Sequence, residues 1–410
     1  MTHILVIGGG FAGVWSAAGA IRAARAAGPE GDAIRVTLIS AGDDLVLRPR
    51  LYEADPGAMR VPLDQVLGPI GVRRLAGAVT AIDTDTRVVR AVTRFGEDLE
   101  LGYDKLVLAA GSRLVRAPFA GAEHLFDVDT LPAATALDHH LRRLPEREPF
   151  AGRSTVVVVG AGFTGLEVAT AMGERLRAIV GPHGGNDEIR VVLVDRADVL
   201  GPELGAGPRP YIEAAVDALD VELRLGLTVE SVSPEQVILS DGEVIPTATV
   251  VWTGGTVASP LTAQIPGERD RLGRLAVDDH LRVKDVPHVY AAGDTAAART
   301  EGDRFSMQSC QHAQPMGKFA GHNVVADVLG RDPLPFEPDP YTTCLDLGPG
   351  HAVETRGWDR TIELTGEEAK TRKRNINARW IYPSVDDAQA ILAHAGRFAN
   401  GANKQTAEVR

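Results

Sequence analysis

The sequence predicts an α/β protein in which one strand–turn–helix unit occurs twice and a smaller α+β segment follows. Two observations predict the duplication: an apolar run, a glycine turn and a helical stretch begin the chain, and the same succession returns from residue 155. Such self-similarity is the sequence signature of a repeated structural unit. A third observation, a Pro-rich stretch from Asp332 followed by strand-like pieces, predicts the separate C-terminal segment.

The first unit begins with Ile4 to Ile7, an apolar run long enough for one buried strand. The turn Gly8-Gly9-Gly10-Phe11-Ala12-Gly13 follows, and a helix is predicted from Val14 to Ala27. In this G-x-G-x-x-G pattern the first glycine permits the tight turn, the second admits a pyrophosphate and the third lets the helix pack on the strand. Free N–H groups at the helix N-terminus favour an anion. The pattern predicts a dinucleotide site, and the alternative is a glycine turn without a ligand.

Periodicity places the other elements of the first unit. They are a strand at 35–40, an irregular loop at 47–53 leading into a helix, meander strands at 78–82, 86–93 and 97–101, a strand at 106–111 and a polar helix at 131–147.

The second unit repeats this order. It comprises a strand at 155–159, the turn Gly160-Ala161-Gly162-Phe163-Thr164-Gly165, a helix at 166–179, a strand at 190–195, meander strands at 221–225, 229–232 and 236–239, and a closing run at 249–255. A strand at 288–292 then reaches Gly293-Asp294, a helix covers 310–329, and a last helical pattern covers 385–398 before a polar tail from Asn400 that we expect to be frayed. The pattern is that of two Rossmann-like (ββα-type) dinucleotide-binding domains plus a small α+β C-terminal domain.

Composition narrows the class of protein. A chain of 410 residues has room for two or three domains, and its net charge of −12 argues against a nucleic-acid partner. Two cysteines provide no disulfide framework, and no apolar stretch is long enough to span a membrane. Because the first strand starts at residue 3, we expect no signal peptide and a cytoplasmic protein. No metal site is predicted.

Four ordered motifs, the two glycine turns, Ala110-Gly111-Ser112 and Tyr290 to Asp294, resemble those of the two-dinucleotide-binding flavoproteins, the pyridine nucleotide-disulfide reductase superfamily. Arg48 to Glu53 and Gln311 to Gly317 are most similar to its type II NADH dehydrogenase and apoptosis-inducing-factor-like branch. The resemblance implies FAD at the first turn and NADH, or alternatively NADPH, at the second. It covers about residues 1–330.

The resemblance assigns the FAD contacts to the residues that match the family's motifs. They are Gly8, Gly10, Phe11, Ala12, Gly13, Ser40, Arg48, Val79, Ala110, Gly111, Gly293, Asp294, Gln311, His312 and Ala313. Asp294 is expected to accept a hydrogen bond from a ribityl hydroxyl. Ser40 stands where the family usually has an acid for the ribose, and Pro315-Met316 stands where its quinone-site motif has two glutamines.

The resemblance assigns the NAD(P)H contacts in the same way. They are Gly160, Gly162, Phe163, Thr164, Gly165, Glu167, Asp195, Arg196 and Gly254. A carboxylate at 195 favours NADH because it binds a ribose hydroxyl and repels a 2′-phosphate, whereas Arg196 leaves NADPH open. Glu167 is expected near the junction of nicotinamide and flavin, or else is an ordinary first-turn acid favoured by the helix dipole.

The remaining chemistry-bearing residues are fewer. His312 is expected to donate to the flavin or help protonate an acceptor, unless it is a plain helix-start histidine. Disulfide reductase chemistry is improbable because the loop at 43–50 has no cysteine, and Cys310 is expected to be a small buried residue. The basic cluster Lys370, Arg372, Lys373 and Arg374 is expected to be a solvated face, or else a docking rim for an acidic partner.

These features predict an FAD-dependent NAD(P)H oxidoreductase whose electrons pass to a quinone or quinone-like aromatic acceptor. The alternatives are a reductase of a small iron–sulfur protein and a non-catalytic NADH-sensing flavoprotein. We divide the chain into an FAD-binding domain at 1–120 and 257–330, an NAD(P)H-binding domain at 121–256 and a C-terminal domain at 331–410. The last is expected to form a homodimer surface or cover the active site, without stable membrane insertion.

Overall fold

The computed structural model describes residues 1–183 and 188–398, so the tail predicted from Asn400 lies outside the described residues. The helices are α1 (Phe11–Ala26), α2 (Leu63–Leu67), α3 (Leu131–Arg142), α4 (Phe163–Val180), α5 (Arg209–Asp217), α6 (Cys310–Val328), α7 (Gly366–Asn375) and α8 (Ala388–Ala395).

The strands of the first half are β1 (Thr2–Ile7), β2 (Ile34–Ser40), β3 (Asp44–Val46), β4 (Arg60–Pro62), β5 (Arg73–Ala76), β6 (Ala78–Asp83), β7 (Val88–Val92), β8 (Asp98–Gly102), β9 (Lys105–Leu108), β10 (Ser112–Leu114), β11 (Thr155–Val159) and β12 (Arg190–Asp195). Those of the second half are β13 (Val221–Leu225), β14 (Val229–Ser233), β15 (Gln236–Leu239), β16 (Val244–Pro246), β17 (Thr249–Trp252), β18 (Thr256–Ala258), β19 (Leu275–Ala276), β20 (Val289–Ala291), β21 (Ala296–Ala297), β22 (Thr342–Asp346), β23 (Ala352–Arg356) and β24 (Thr361–Thr365).

Two parallel sheets form the centre of the molecule and confirm the predicted α/β fold. The first has the order β20-β9-β1-β2-β5 and the second has the order β13-β12-β11-β17. Every residue of β11 is buried, as expected of a strand covered on both faces. Each unit also carries an antiparallel meander, β6-β7-β8 in the first and β14-β15-β16 in the second, so the predicted duplication extends to topology. The predicted assignment of the strand at 221–225 to the second meander is wrong, because β13 pairs in parallel with β12 as the edge strand of the second sheet, where a half-exposed strand alternates in the same way.

The first sheet is completed by a strand from much later in the chain. Tyr290 of β20 pairs with Val107 of β9, after the whole second unit has intervened. The predicted domain boundaries remain a prediction, but this pairing shows that the chain returns to its first sheet. The C-terminal segment adds the antiparallel sheet β22-β23-β24, with α7 and α8 after it.

Several element boundaries differ from the sequence-based prediction, each for a local reason. Helices α1 and α4 begin three residues earlier than predicted, because Gly10 and Gly162 are already their N-caps. The polar helix α3 ends at Arg142 instead of 147, since Pro145 disfavours helix at the residue before it. The loop at 47–53 leads into the short β3–β4 ladder rather than directly into a helix.

Helices α1 and α6 cross at glycines that bring their backbones together. A Cβ atom on Gly321 would lie 2.1 Å from the carbonyl oxygen of Ser16, and one on Gly317 would lie 2.4 Å from that of Ala12. On the opposite helix, a Cβ on Gly19 would lie 2.9 Å from the carbonyl oxygen of Lys318. The close approach fixes the first turn of α6 beside the first glycine turn.

We expect Gly321→Ala to lower the free energy of unfolding by about 1–3 kcal/mol, because the added methyl has no room between two backbones. Gly102→Ala is the matched control, since a Cβ there meets nothing within 4 Å. Urea unfolding of both variants tests this, and equal midpoints would contradict the close crossing.

Candidate active site

The first glycine turn has the geometry that a bound dinucleotide needs. Gly8 has φ +119°, and a Cβ there would lie 2.2 Å from the carbonyl oxygen of Ala109. A Cβ on Gly13 would lie 1.9 Å from the carbonyl oxygen of Gly8, so the helix contacts the strand directly. Gly10 is the N-cap of α1, makes no side-chain cap and faces open space. The N-terminal N–H groups of α1 are therefore available to an anion.

Three separate parts of the chain meet beside this turn. A Cβ on Gly293 would lie 2.8 Å from the Cβ of Ala12 and 3.5 Å from that of Ala313. Phe11 is buried at the start of α1. The structure thus brings together predicted FAD residues that are about 300 positions apart in sequence.

A polar cluster lies at the ends of β9 and β20, just after Ala110-Gly111. Ser112 Oγ donates to Asp294 at 2.6 Å, and Arg48 donates to Ser112 Oγ at 2.8 Å. Arg48 also pairs with Asp129 and lies 3.6 Å from Asp294. Burial raises the pKa of Asp294, while Ser112 and Arg48 oppose the rise. Sequence analysis found Arg48 and Asp294 separately but missed Asp129, because no motif marks it.

The second glycine turn repeats the geometry of the first. Gly160 has φ +110°, and a Cβ on Gly165 would lie 1.7 Å from its carbonyl oxygen. Gly162 is the N-cap of α4 and makes no side-chain cap, whereas Ser309 caps α6 through its hydroxyl. At the start of α4, Phe163 is half-buried and Thr164 is exposed. This turn is also suited to a pyrophosphate.

The residues at the strand ends differ between the two units. Ser40 ends β2, and its Oγ would lie 2.5 Å from a Cβ on Gly9, so it flanks the first turn. Asp195 ends β12 and accepts from the N–H of Ala161 at 2.5 Å and from that of Ala197 at 2.8 Å. Its carboxylate therefore also holds the second turn in place.

The structure also shows the surroundings of three other residues that are predicted to contact a cofactor. Arg196 is exposed directly after β12. Gly254 packs so tightly on Trp252 that a Cβ would lie 1.9 Å from the indole ring. Val79 is half-buried on β6, opposite Ala91 of β7. None of these positions by itself assigns a ligand contact.

Glu167 is not an exposed first-turn acid. It is 8% exposed, and its Oε1 accepts from Lys373 Nζ at 2.7 Å and from the N–H of Asp346 at 3.1 Å. Burial raises the pKa of Glu167, and Lys373 opposes the rise. Burial also disfavours the charge of Lys373, but Glu167 and its neighbours raise the lysine pKa above its usual range. The contact is that of a buried ion pair, and sequence analysis missed it because 206 residues separate the partners.

The expected solvated basic face on α7 is wrong. Lys373 is buried, and Arg372 forms a bidentate pair with the buried Glu354. Lys370 pairs with Asp346, and of the four only Arg374 is more than half exposed. The carboxylate that pairs with Lys370 lies on β22, and the one that pairs with Arg372 lies on β23. The surface therefore offers no basic rim here.

His312 lies in the first turn of α6 and is 1% exposed. Its ring stacks on Tyr341 at 4.7 Å, and its Nδ1 accepts from the N–H of Met307 at 3.1 Å. Burial lowers its pKa to about 4, so the imidazole is neutral at pH 7, and because Nδ1 accepts a hydrogen bond its one proton lies on Nε2. Its expected part in protonating an acceptor stays a prediction. Its expected hydrogen bond to the flavin stays a prediction. Gln311, beside it, donates to Thr342 Oγ1 at 2.8 Å.

Cys310, the first residue of α6, is half-buried. Burial raises the pKa of its thiol to about 11, so the thiolate that redox chemistry requires is not favoured.

Comparison with known proteins gives a consistent result. The sequence profile of the pyridine nucleotide-disulphide oxidoreductase family matches residues 2–317. An NADH dehydrogenase-like protein of Mycobacterium tuberculosis is 46% identical over 96% of this chain and 98% of its own length. A demethylphylloquinone reductase of Synechocystis is 27% identical over 91% of each protein. The solved NDH2 of Plasmodium falciparum in complex with NADH shares the fold, with a TM-score of 0.76 at 13% identity over 96% of each chain.

We expect Lys373→Met to destabilise the protein by about 3–5 kcal/mol, because Glu167 then remains buried without its counter-charge. A carboxyl whose pKa is higher in the folded than in the unfolded chain binds more protons when folded, so stability falls as pH rises above the ordinary value of 4.5. The loss should therefore be small in acid and grow towards the raised pKa.

Arg374→Met is the control for this prediction, because its pair with Glu367 is exposed and contributes little. Urea unfolding of both variants between pH 4 and 8 is the measurement. A Lys373→Met loss that does not change with pH would contradict an ionised pair.

Proposed function

Because the chain belongs to the pyridine nucleotide-disulphide oxidoreductase family, we propose that it takes hydride from NADH through FAD and passes the electrons to a quinone or quinone-like aromatic acceptor. The observation that carries the proposal is the presence of two strand–turn–helix units whose helices both begin at an uncapped glycine. FAD and NADH are the cofactors of this oxidoreductase. The flavin supplies the redox chemistry when bound, and the protein supplies binding, orientation and electrostatics.

The residues of the first unit fit FAD. The open N-terminus of α1 at Gly10 suits the pyrophosphate, and Ser40 offers a neutral hydrogen-bonding group to the adenosine ribose. Asp294 retains acceptor capacity for a ribityl hydroxyl while Ser112 and Arg48 orient its carboxylate. Glycines 8 and 13 keep the turn close to the strand, which leaves the ligand side of the turn open.

The residues of the second unit fit NADH better than NADPH. Asp195 holds its carboxylate in place through two backbone N–H groups, at the strand end where a ribose hydroxyl binds in such units. A fixed negative charge there repels a 2′-phosphate, although Arg196 is adjacent. Glu167 then lies near the nicotinamide end, where Lys373 neutralises its charge and the pair presents no net charge to the coenzyme.

The acceptor is proposed from the relatives and from the chemistry of the site. The Synechocystis relative is named as a reductase of a quinone. Pro315 and Met316, which replace the family's two glutamines, are both buried within α6, so this chain does not present polar amides there. An acceptor bound mainly through its aromatic ring is consistent with that change.

The structure weakens one alternative. An iron–sulfur protein reductase needs a charged docking rim, and the basic cluster that suggested one is neutralised by carboxylates on β22, β23 and α4. An NADH-sensing flavoprotein would bind the same cofactors, so only turnover separates it from the enzyme.

Anaerobic mixing of the FAD-loaded protein with NADH tests the proposal. We expect the visible flavin absorbance to bleach and to return on addition of a naphthoquinone. Bleaching that only a reducible iron–sulfur protein reverses would contradict the quinone assignment. An absorbance that persists with NADH, together with a change of assembly state, would support the sensor instead.

We expect Asp195→Asn to lower the preference for NADH over NADPH, measured as the ratio of kcat/KM values, by about tenfold, because the amide lacks the repelling charge. Asp198→Asn, three residues further on and exposed, is the control. An unchanged ratio in Asp195→Asn would show that this carboxylate does not select the coenzyme.

A further inference from the structure

Arg360 is a buried cation without a carboxylate partner among the described residues. It is 4% exposed, and its Nη1 has no hydrogen-bond partner within residues 1–183 and 188–398. Its Nη2 donates a long bond, 3.5 Å, to the carbonyl oxygen of Glu203, and its guanidinium lies within hydrogen-bonding reach of the neutral Tyr341 hydroxyl, so neither partner offers a negative charge. An arginine remains charged in proteins, and a buried charge is costly unless it is paired. An anion that none of the described residues supplies would complete this site.

The position of Arg360 points to the source of that anion. Its guanidinium lies over the ring of Phe163, 5.8 Å from the centroid, and over that of Tyr341 at 4.8 Å. Phe163 is the first residue of α4, directly after the second glycine turn. Arg360 itself belongs to the turn between β23 and β24, and its φ of +56° is unusual for a residue with a side chain. The C-terminal segment therefore places the positive charge of Arg360 beside the N-terminus of α4.

Glu203 lies at the same end of α4 with the opposite charge. Its Oε1 would lie 2.5 Å from a Cβ on Gly162, the N-cap of the helix. Glu203 is exposed, so its side chain is free to move away into solvent. A carboxylate at an uncapped helix N-terminus is favourable, and it takes the place that a phosphate would use.

We propose that Arg360 binds the pyrophosphate of NADH from the C-terminal segment, and that Glu203 occupies this position until the coenzyme displaces it. The inference rests on the proposed function and deepens it, because Arg360 lies beyond residue 317, where the family profile ends. Arginine is suited to phosphate because its planar fork donates two parallel hydrogen bonds. Arg360 then raises the affinity for the coenzyme, and Glu203 lowers it.

Titration calorimetry of the FAD-loaded protein with ADP-ribose tests the Arg360 half of the proposal. This probe carries the pyrophosphate but no nicotinamide, so it reports binding apart from flavin reduction. We expect Arg360→Gln to raise its Kd about tenfold or more, the size expected for a hydrogen bond between charged groups. Arg360→Lys should recover part of the loss. Arg356→Gln, in β23 and paired with Glu363 on the surface, should leave Kd unchanged.

The Glu203 half needs a variant that does not depend on the buried arginine. Glu203→Gln should lower the Kd of ADP-ribose severalfold, since the competing charge is gone, whereas the exposed Glu213→Gln on α5 should not. Because residue 203 is on the surface, this variant remains informative if Arg360→Gln fails to fold or loses its flavin.

Several results would overturn the inference. An unchanged Kd in a folded Arg360→Gln would show that the arginine does not contact the coenzyme. An unchanged Kd in Glu203→Gln would show that this carboxylate does not compete with the coenzyme. A raised KM for the acceptor, with the Kd of ADP-ribose unchanged, would assign Arg360 to an anionic acceptor instead. If ADP-ribose binds as expected but NADH does not reduce the flavin, the proposed function fails while the assignment of Arg360 stands.

Discussion

The close contact between helix and strand at each glycine turn is the constraint on which the rest of the site depends. The carbonyl oxygen of Gly8 faces Gly13, and that of Gly160 faces Gly165, at distances that leave no room for a Cβ atom. Each helix therefore starts directly above the carboxyl edge of its sheet, with a glycine N-cap that offers its N–H groups no side-chain hydrogen bond. Such groups require an anion or water. The backbone conformation of both units therefore favours an anionic ligand at the start of the helix.

The C-terminal segment forms its own sheet and contacts the second unit through charged side chains. Lys373 of α7 pairs with Glu167 of α4, and Arg360 packs on Phe163 at the start of the same helix. A buried ion pair contributes little net stability compared with apolar packing, but it defines which surfaces fit together. The segment thus places two charged residues beside the second glycine turn that the glycine motifs do not include.

The sequence predicts the local features well because they have local causes. The glycine turns, the buried strands and the late Gly293-Asp294 element each follow from a few adjacent residues. The pairing of Glu167 with Lys373 could not be predicted, because nothing near either residue identifies its partner. The basic cluster was misjudged for the same reason: the charges were visible, but the carboxylates of Asp346 and Glu354 that neutralise them lie on other strands.

The return of β20 to the first sheet has a consequence for the order of folding. All strands of the second sheet lie between Thr155 and Trp252, so this sheet has every strand once that stretch has been synthesised. The first sheet, whose β1 emerges earliest, cannot gain its outer strand before Ala291 has been made. Domains generally fold during synthesis as their residues become available. We therefore expect the first sheet to be completed after the second sheet, although its first strand is synthesised earlier.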